Sequence, residues 1–205
     1  MPIIPSIQRL FRCKELVMFQ GWHASNICES RVMWIPTYSI AIKHIEDTWH
    51  EKFKDEVRSV RLNIAMDGVN PYSLQNTNYY VWHVVVINSN ISPWLFVKNE
   101  HLMLALIVPS RRQVKNINVY LQPLVDEFKE LWEGIHAYDV SRPITIERSF
   151  TLYGICAYTT DDYPGLGVFS GKVLQYVYWF VVYIFGNNIF FGISNLLQYI
   201  FDLQR

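Results

Sequence analysis

Three aspartates stand where backbone pattern and side-chain chemistry could combine. Asp67 follows the run Val60–Met66, which alternates apolar and polar at first, and Gly68 comes directly after it. Asp161 and Asp162 follow the apolar run Phe150–Tyr158 by way of Thr159-Thr160. β-Branched and aromatic runs closed by Asp, Gly or Pro read as strands that end in turns. In α/β sheets, functional groups collect at the carboxyl ends of strands. Two carboxylates on neighbouring strand ends supply the hard oxygen ligands that Mg²⁺ or Mn²⁺ takes. Two such ions ~4 Å apart activate a water or a 3′-hydroxyl and stabilise the leaving oxygen of a phosphodiester. On spacing alone the plainer reading is the commoner one: Asp67-Gly68 and Asp161-Asp162 as turn residues.

The elements that must position these residues follow from periodicity. Strands are expected at Val60–Met66, Tyr79–Ile87, Leu102–Val108 and Phe150–Tyr158. Between the third and fourth, Ile117, Leu121, Leu124, Val125, Phe128, Leu131, Trp132 and Ile135 recur at three- and four-residue steps. That spacing predicts an amphipathic helix over 117–135, with Pro123 in or near its first turn and Gly134 near its end. The order is strand, strand, strand, helix, strand, which predicts an α/β fold with a mixed sheet. Upstream, Ile40, Ile42, Ile45, Trp49 and Phe53 predict a helix within 38–54, and 3–17 has room for a short one.

Other candidates are weaker. His23, His44, His50, His83, His101 and His136 lack the short paired spacing of zinc ligands. Cys13, Cys28 and Cys156 are too scattered for a zinc pair or a disulfide framework and fit a reducing compartment. Arg111, Arg112 and Lys115 form a small basic cluster that could contact phosphate, although a solvated loop is the commoner role. The chain has 205 residues, with 18 basic and 18 acidic side chains and a formal net charge of zero. Balanced charge removes the simplest argument for nucleic-acid binding without excluding a local patch. With 51% hydrophobic and 18% charged residues, the composition argues against global disorder.

Several separated segments, in order, carry a resemblance. Arg61-Leu-Asn-Ile-Ala-Met-Asp67-Gly-Val-Asn-Pro71-Tyr resembles the RLGLxxDGFNPF segment of plant CACTA (En/Spm-type) transposases. Asn78-Tyr-Tyr-Val-Trp-His-Val-Val-Val86 is similar to their SYSxWPVxL strand. Asn118-Val-Tyr-Leu-Gln-Pro-Leu-Val-Asp-Glu-Phe-Lys-Glu-Leu-Trp-Glu-Gly134 is similar to DVYLQPLIDELKELWxxG. Thr160-Asp-Asp-Tyr-Pro-Gly-Leu-Gly167 resembles INDFPAYGxLSGW. His83 and Gly165 depart from the pattern, where the family usually has Pro and Ala. The resemblance covers about residues 3–172.

What it implies is part of a DDE-type transposase with an incomplete ribonuclease-H-like core. The catalytic and metal-binding carboxylates map to Asp67 and, rather than Asp161, to Asp162. The implied cofactor is Mg²⁺ or Mn²⁺, the implied partner is DNA at transposon ends, and the implied location is the nucleus. The family's third acidic residue lies further downstream and has no counterpart here, so a catalytically inactive remnant is expected. The start also reads as internal to the family's sequence.

Three segments result: 1–56, helical or irregular; 57–172, the transposase core fragment; and 173–205, a hydrophobic tail unrelated to the family. From Val173 to Phe201 there is no charged residue and no histidine. Its richness in Phe, Tyr, Ile, Asn and Leu reads as translated non-coding sequence, expected to form a helical tail. The alternative function is a membrane-associated protein with a hydrophobic span at 173–201, long enough for a bilayer but interrupted at Gly186-Asn187-Asn188.

Overall fold

The computed structural model describes residues 1–25, 39–69, 80–96, 98–110, 118–161, 184–185 and 188–189. Its centre is a four-stranded mixed sheet in the order β3-β2-β1-β6. The strands are β1 (Val60–Val69), β2 (Tyr80–Asn88), β3 (Leu102–Ser110) and β6 (Gly154–Asp161), with the one-turn helix α6 (Pro93–Phe96) between β2 and β3. β1 and β2 are antiparallel, as are β2 and β3, whereas β6 lies parallel to β1 on its other side. A parallel neighbour requires a crossover. That crossover contains α7 (Asn118–Glu133).

Sequence pattern explains the placement of α7. Leu121, Leu124, Phe128 and Leu131 are buried with Leu62, Ile64 and Met66 of β1 and with Trp82, Val84 and Val86 of β2. The helix starts at Asn118, so Pro123 sits in its second turn rather than its first. Pro123 is exposed, and it has no N–H to donate to the Val119 carbonyl one turn back. Gly134 ends the helix at φ 104°, its N–H donating to the Glu130 carbonyl at 3.0 Å. Few residues but glycine adopt that conformation.

The opposite face of the sheet is covered over β6 by α4 (Ile40–Thr48) and α5 (His50–Phe53). Ile42, Ile45 and Phe53 pack there against Ile155, Ala157 and Tyr158. The expected 38–54 helix is thus two helices, broken at Trp49, whose backbone leaves the helical region at φ −119°, ψ 53°. Burial on both faces explains why the first five residues of β1 are all buried.

Near the N-terminus, α1 (Ile4–Leu10) and α2 (Lys14–Gln20) replace the single short helix expected within 3–17, and the one-turn α3 (Trp22–Ser25) follows. Ile3, Ile7 and Phe11 join the core beneath α7. The expected strand Phe150–Tyr158 is two strands. β5 (Ser149–Leu152) pairs with β4 (Ile135–Tyr138) as a separate hairpin, and β6 begins at Gly154. In the tail, the described residues Ile184–Phe185 (β7) and Asn188–Ile189 (β8) form a two-residue antiparallel pairing, extended where a helix was expected. The rest of 173–201 lies outside the described residues. Among the described residues no helix is long and apolar enough to cross a membrane.

Candidate functional site

Asp67 does not end its strand. β1 continues in register through Gly68 opposite Trp82 to Val69 opposite Val81, and Asp67 itself stands opposite His83. The turn signal of Asp-Gly is overridden because β2 supplies backbone partners for both residues. Gly68 is needed for this pairing, since the Trp82 ring lies across it: a Cβ added at residue 68 would meet ring carbons at 2.9–3.0 Å. Trp82 is itself buried. Core packing on one face therefore fixes the backbone that carries Asp67 on the other.

Asp67 is half-buried, as is His83 across from it. On one face of the central strand β1, Asn63, Ala65 and Asp67 alternate with buried Ile64 and Met66. On the other side of β1, the parallel strand β6 sets Thr160 beside Ala65 and Asp161 beside Met66. The Asn63 amide donates to the Thr160 hydroxyl at 3.1 Å across this pair. A register shift between Leu62 and Asn63 precedes it. Such bulges re-aim side chains and increase local twist. Thus the late part of β1, with β2 and β6 flanking it, places one carboxylate, one imidazole and one hydroxyl on a partly exposed surface, while the Asn63 amide lies buried further back on the strand. The oxygen donors suit Mg²⁺ or Mn²⁺, and the imidazole suits Mn²⁺ and later transition metals.

Asp162, the second predicted carboxylate, lies outside the described residues, as do Asp161's side chain, the basic cluster Arg111–Lys115, and Cys28. Among the described residues no group of three or more His, Cys, Asp or Glu is arranged to hold a metal. Of the remaining histidines, His44, His50 and His136 are exposed, and His23 is buried. Cys156 is buried, its thiol donating to the Tyr158 carbonyl at 3.7 Å, and Cys13 is half-buried.

The start of β1, the other end of the same strand, carries chemistry of a structural kind that the sequence reading missed. Arg61 is 2% exposed. Its guanidinium reaches Glu46 of α4 at 2.6–2.8 Å and donates to the carbonyls of Ser59 at 2.8 Å and Phe53 at 2.6 Å. Its backbone N–H donates to the Asn90 side chain at 2.9 Å, and the Asn90 amide donates to the Ser59 carbonyl at 2.7 Å. Burial lowers the pKa of Arg61, and the Glu46 carboxylate partly offsets that. His23 joins this cluster, its backbone N–H donating to the Asn90 carbonyl at 3.2 Å. Burial, and then the charge of Arg61, push its imidazole pKa down to about 3. An arginine opening an apolar strand was the available signal, since a buried Arg must find partners for its five donors.

The fold and this surface define an α/β domain with a carboxylate on the central strand of a mixed sheet. A scan of protein-family models matches that of the transposase family tnp2 over residues 31–182, well over half of the chain. The chain belongs to that transposase family. No curated protein and no solved structure matches it.

Proposed function

We propose that this chain is the core of a DDE-type transposase of the plant CACTA (En/Spm) kind, with a ribonuclease-H-like sheet. The observation that carries the reading is Asp67 on the central strand β1, beside a parallel β6 that runs on to Asp161 in register with Met66. Three antiparallel strands, a helical crossover and a fourth strand parallel to the first support the ribonuclease-H-like assignment. Asp67 and Asp162, the next residue after Asp161, serve as the first two metal-binding carboxylates. Bound Mg²⁺ or Mn²⁺ supplies charge stabilisation and a lowered water or hydroxyl pKa for attack on a phosphodiester. The substrate is DNA, and the place of action is the nucleus.

The 205 residues offer two of the three carboxylates that the resemblance implies, so the site holds one ion weakly and cleavage is absent. Electrostatic preorganisation around both reacting oxygens is what such a site lacks with one ligand missing. The test is incubation of the purified chain with supercoiled plasmid and Mg²⁺ or Mn²⁺, alongside Mn²⁺ binding followed by electron paramagnetic resonance. Weak Mn²⁺ binding, abolished by Asp67→Asn and by Asp162→Asn, is expected without plasmid nicking. Nicking that disappears in Asp67→Ala would refute the inactivity while keeping the site. Mn²⁺ binding indifferent to both substitutions would remove the site.

A further inference from the structure

We propose that His83 is a metal ligand beside Asp67, and that it biases the ion site towards Mn²⁺ and later transition metals over Mg²⁺. The inference rests on the reading of Asp67 as a metal-binding carboxylate and adds a ligand and a selectivity to it. Asp67 and His83 are direct cross-strand partners on β1 and β2. Residues directly opposite in an antiparallel pair have Cβ atoms about 4.5–5.5 Å apart and share one face of the sheet. Strand alternation fixes which face: Trp82 and Val84, on either side of His83, are buried in the core, as is Met66 next to Asp67. His83 and Asp67 are both half-buried on the other face, open enough for an ion to enter.

The chemistry of the pair is specific. A carboxylate oxygen and an imidazole nitrogen bind Zn²⁺ at about 2.0–2.2 Å, so one ion spans two side chains set at this separation. Mg²⁺ prefers oxygen donors, whereas imidazole suits transition metals. The platform is also preorganised. The Trp82 ring across Gly68 holds the β1–β2 register at this point, with ring carbons 2.9–3.0 Å from where a residue-68 Cβ would sit. A one-residue slip would send either side chain to the opposite face.

The experiment loads the full 205-residue chain with Mn²⁺ and records the electron spin echo envelope modulation. A directly bound imidazole nitrogen gives a characteristic ¹⁴N modulation. Zn²⁺ and Mg²⁺ affinities are measured alongside by competition against Mn²⁺. The wild type is expected to show the ¹⁴N modulation. In His83→Ala and His83→Gln, each checked for native circular dichroism, Mn²⁺ still binds but the modulation is gone. Loss of even an outer partner of a ligand costs about 10- to 100-fold in metal affinity, so the Zn²⁺-to-Mg²⁺ preference should fall at least about tenfold. Wild-type Mn²⁺ without ¹⁴N modulation, or modulation and preference unchanged in both His83 variants, would overturn the proposal. The Asp67→Asn variant separates the two readings. Mn²⁺ binding lost there but ¹⁴N modulation unaffected by His83 refutes the histidine alone. Mn²⁺ binding retained there refutes the carboxylate site on which it rests.

Discussion

Gly68 and Trp82 show how one residue's size decides where a functional side chain stands. The indole is buried, and the space for a residue-68 Cβ is already taken by ring carbons at 2.9–3.0 Å. Gly68→Ala must therefore move either the ring or β1. Overpacking of this kind typically costs about 1–3 kcal/mol. The expected result is a lower urea midpoint with an unchanged m-value, together with weakened Mn²⁺ binding through Asp67 next door. An unaltered midpoint would mean that the sheet tolerates the change without strain. The sequence made Asp67-Gly68 legible as a pair with a special backbone role but assigned it to a turn. The glycine in fact permits close approach of an aromatic ring from the neighbouring strand, and nothing local to β1 encodes that neighbour.

Single side chains tie the elements together at defined points. Glu127 of α7 accepts hydrogen bonds from the backbone N–H groups of Ile3 and Ile4 at 2.6 and 2.9 Å. These are otherwise unpaired donors at the start of α1, and a carboxylate there also complements the helix dipole. Glu127→Gln keeps the size but removes the charge. Hydrogen bonds to charged groups contribute about 1.5–3 kcal/mol, so a loss near the lower end of that range is expected in chemical denaturation. No loss would mean that burial of Ile3, Ile7 and Phe11 alone docks α1. At the other end of α7, Gly134→Ala combines a positive φ with a Cβ 2.7 Å from atoms of both Thr151 and Tyr153. It should destabilise by at least the ~1 kcal/mol of a strained left-handed residue, read as a fall in melting temperature. The central elements were legible because each has a strong pattern: three- and four-residue steps in α7, apolar–polar alternation at the start of β1, a β-branched and aromatic run in β2 and an unbroken apolar run in β3. The β4–β5 hairpin was not. Ile135–Tyr138 has only four residues, and its buried–exposed alternation is too short to stand out beside the helix pattern it follows. Its anchors are distant in sequence. Buried Asp139 meets Arg58 at 3.2 Å, and that guanidinium lies 3.6 Å from the centre of the Phe150 ring.

Across the whole molecule, the Arg61–Asn90–His23 cluster joins the N-terminal helices to the sheet, and it predicts how stability responds to acid. His23 has a folded-state pKa of about 3, set by burial and by the charge of Arg61. In the unfolded chain it returns to about 6.5. Between those values the unfolded state holds a proton that the folded state refuses. Stability therefore rises with pH across this window, and falls as pH drops below about 6.5, by up to about 1.4 kcal/mol per pH unit. Asp139 works in a different range. Burial opposes its ionisation, but hydrogen bonds from Ser141 and Arg58 outweigh that and lower its pKa. Its contribution is present above the unfolded value of about 3.9 and is lost as pH falls through the lower folded value. The interval from pH 6 to 4.5 thus belongs mainly to His23, where it should remove about 2 kcal/mol. Urea denaturation at half-unit steps across that interval measures the slope. His23→Phe, which cannot take a proton, should flatten it whatever its effect on absolute stability. A slope unchanged by that substitution would show that protons enter the unfolded chain elsewhere, and that His23 is not what makes the junction between helices and sheet acid-sensitive.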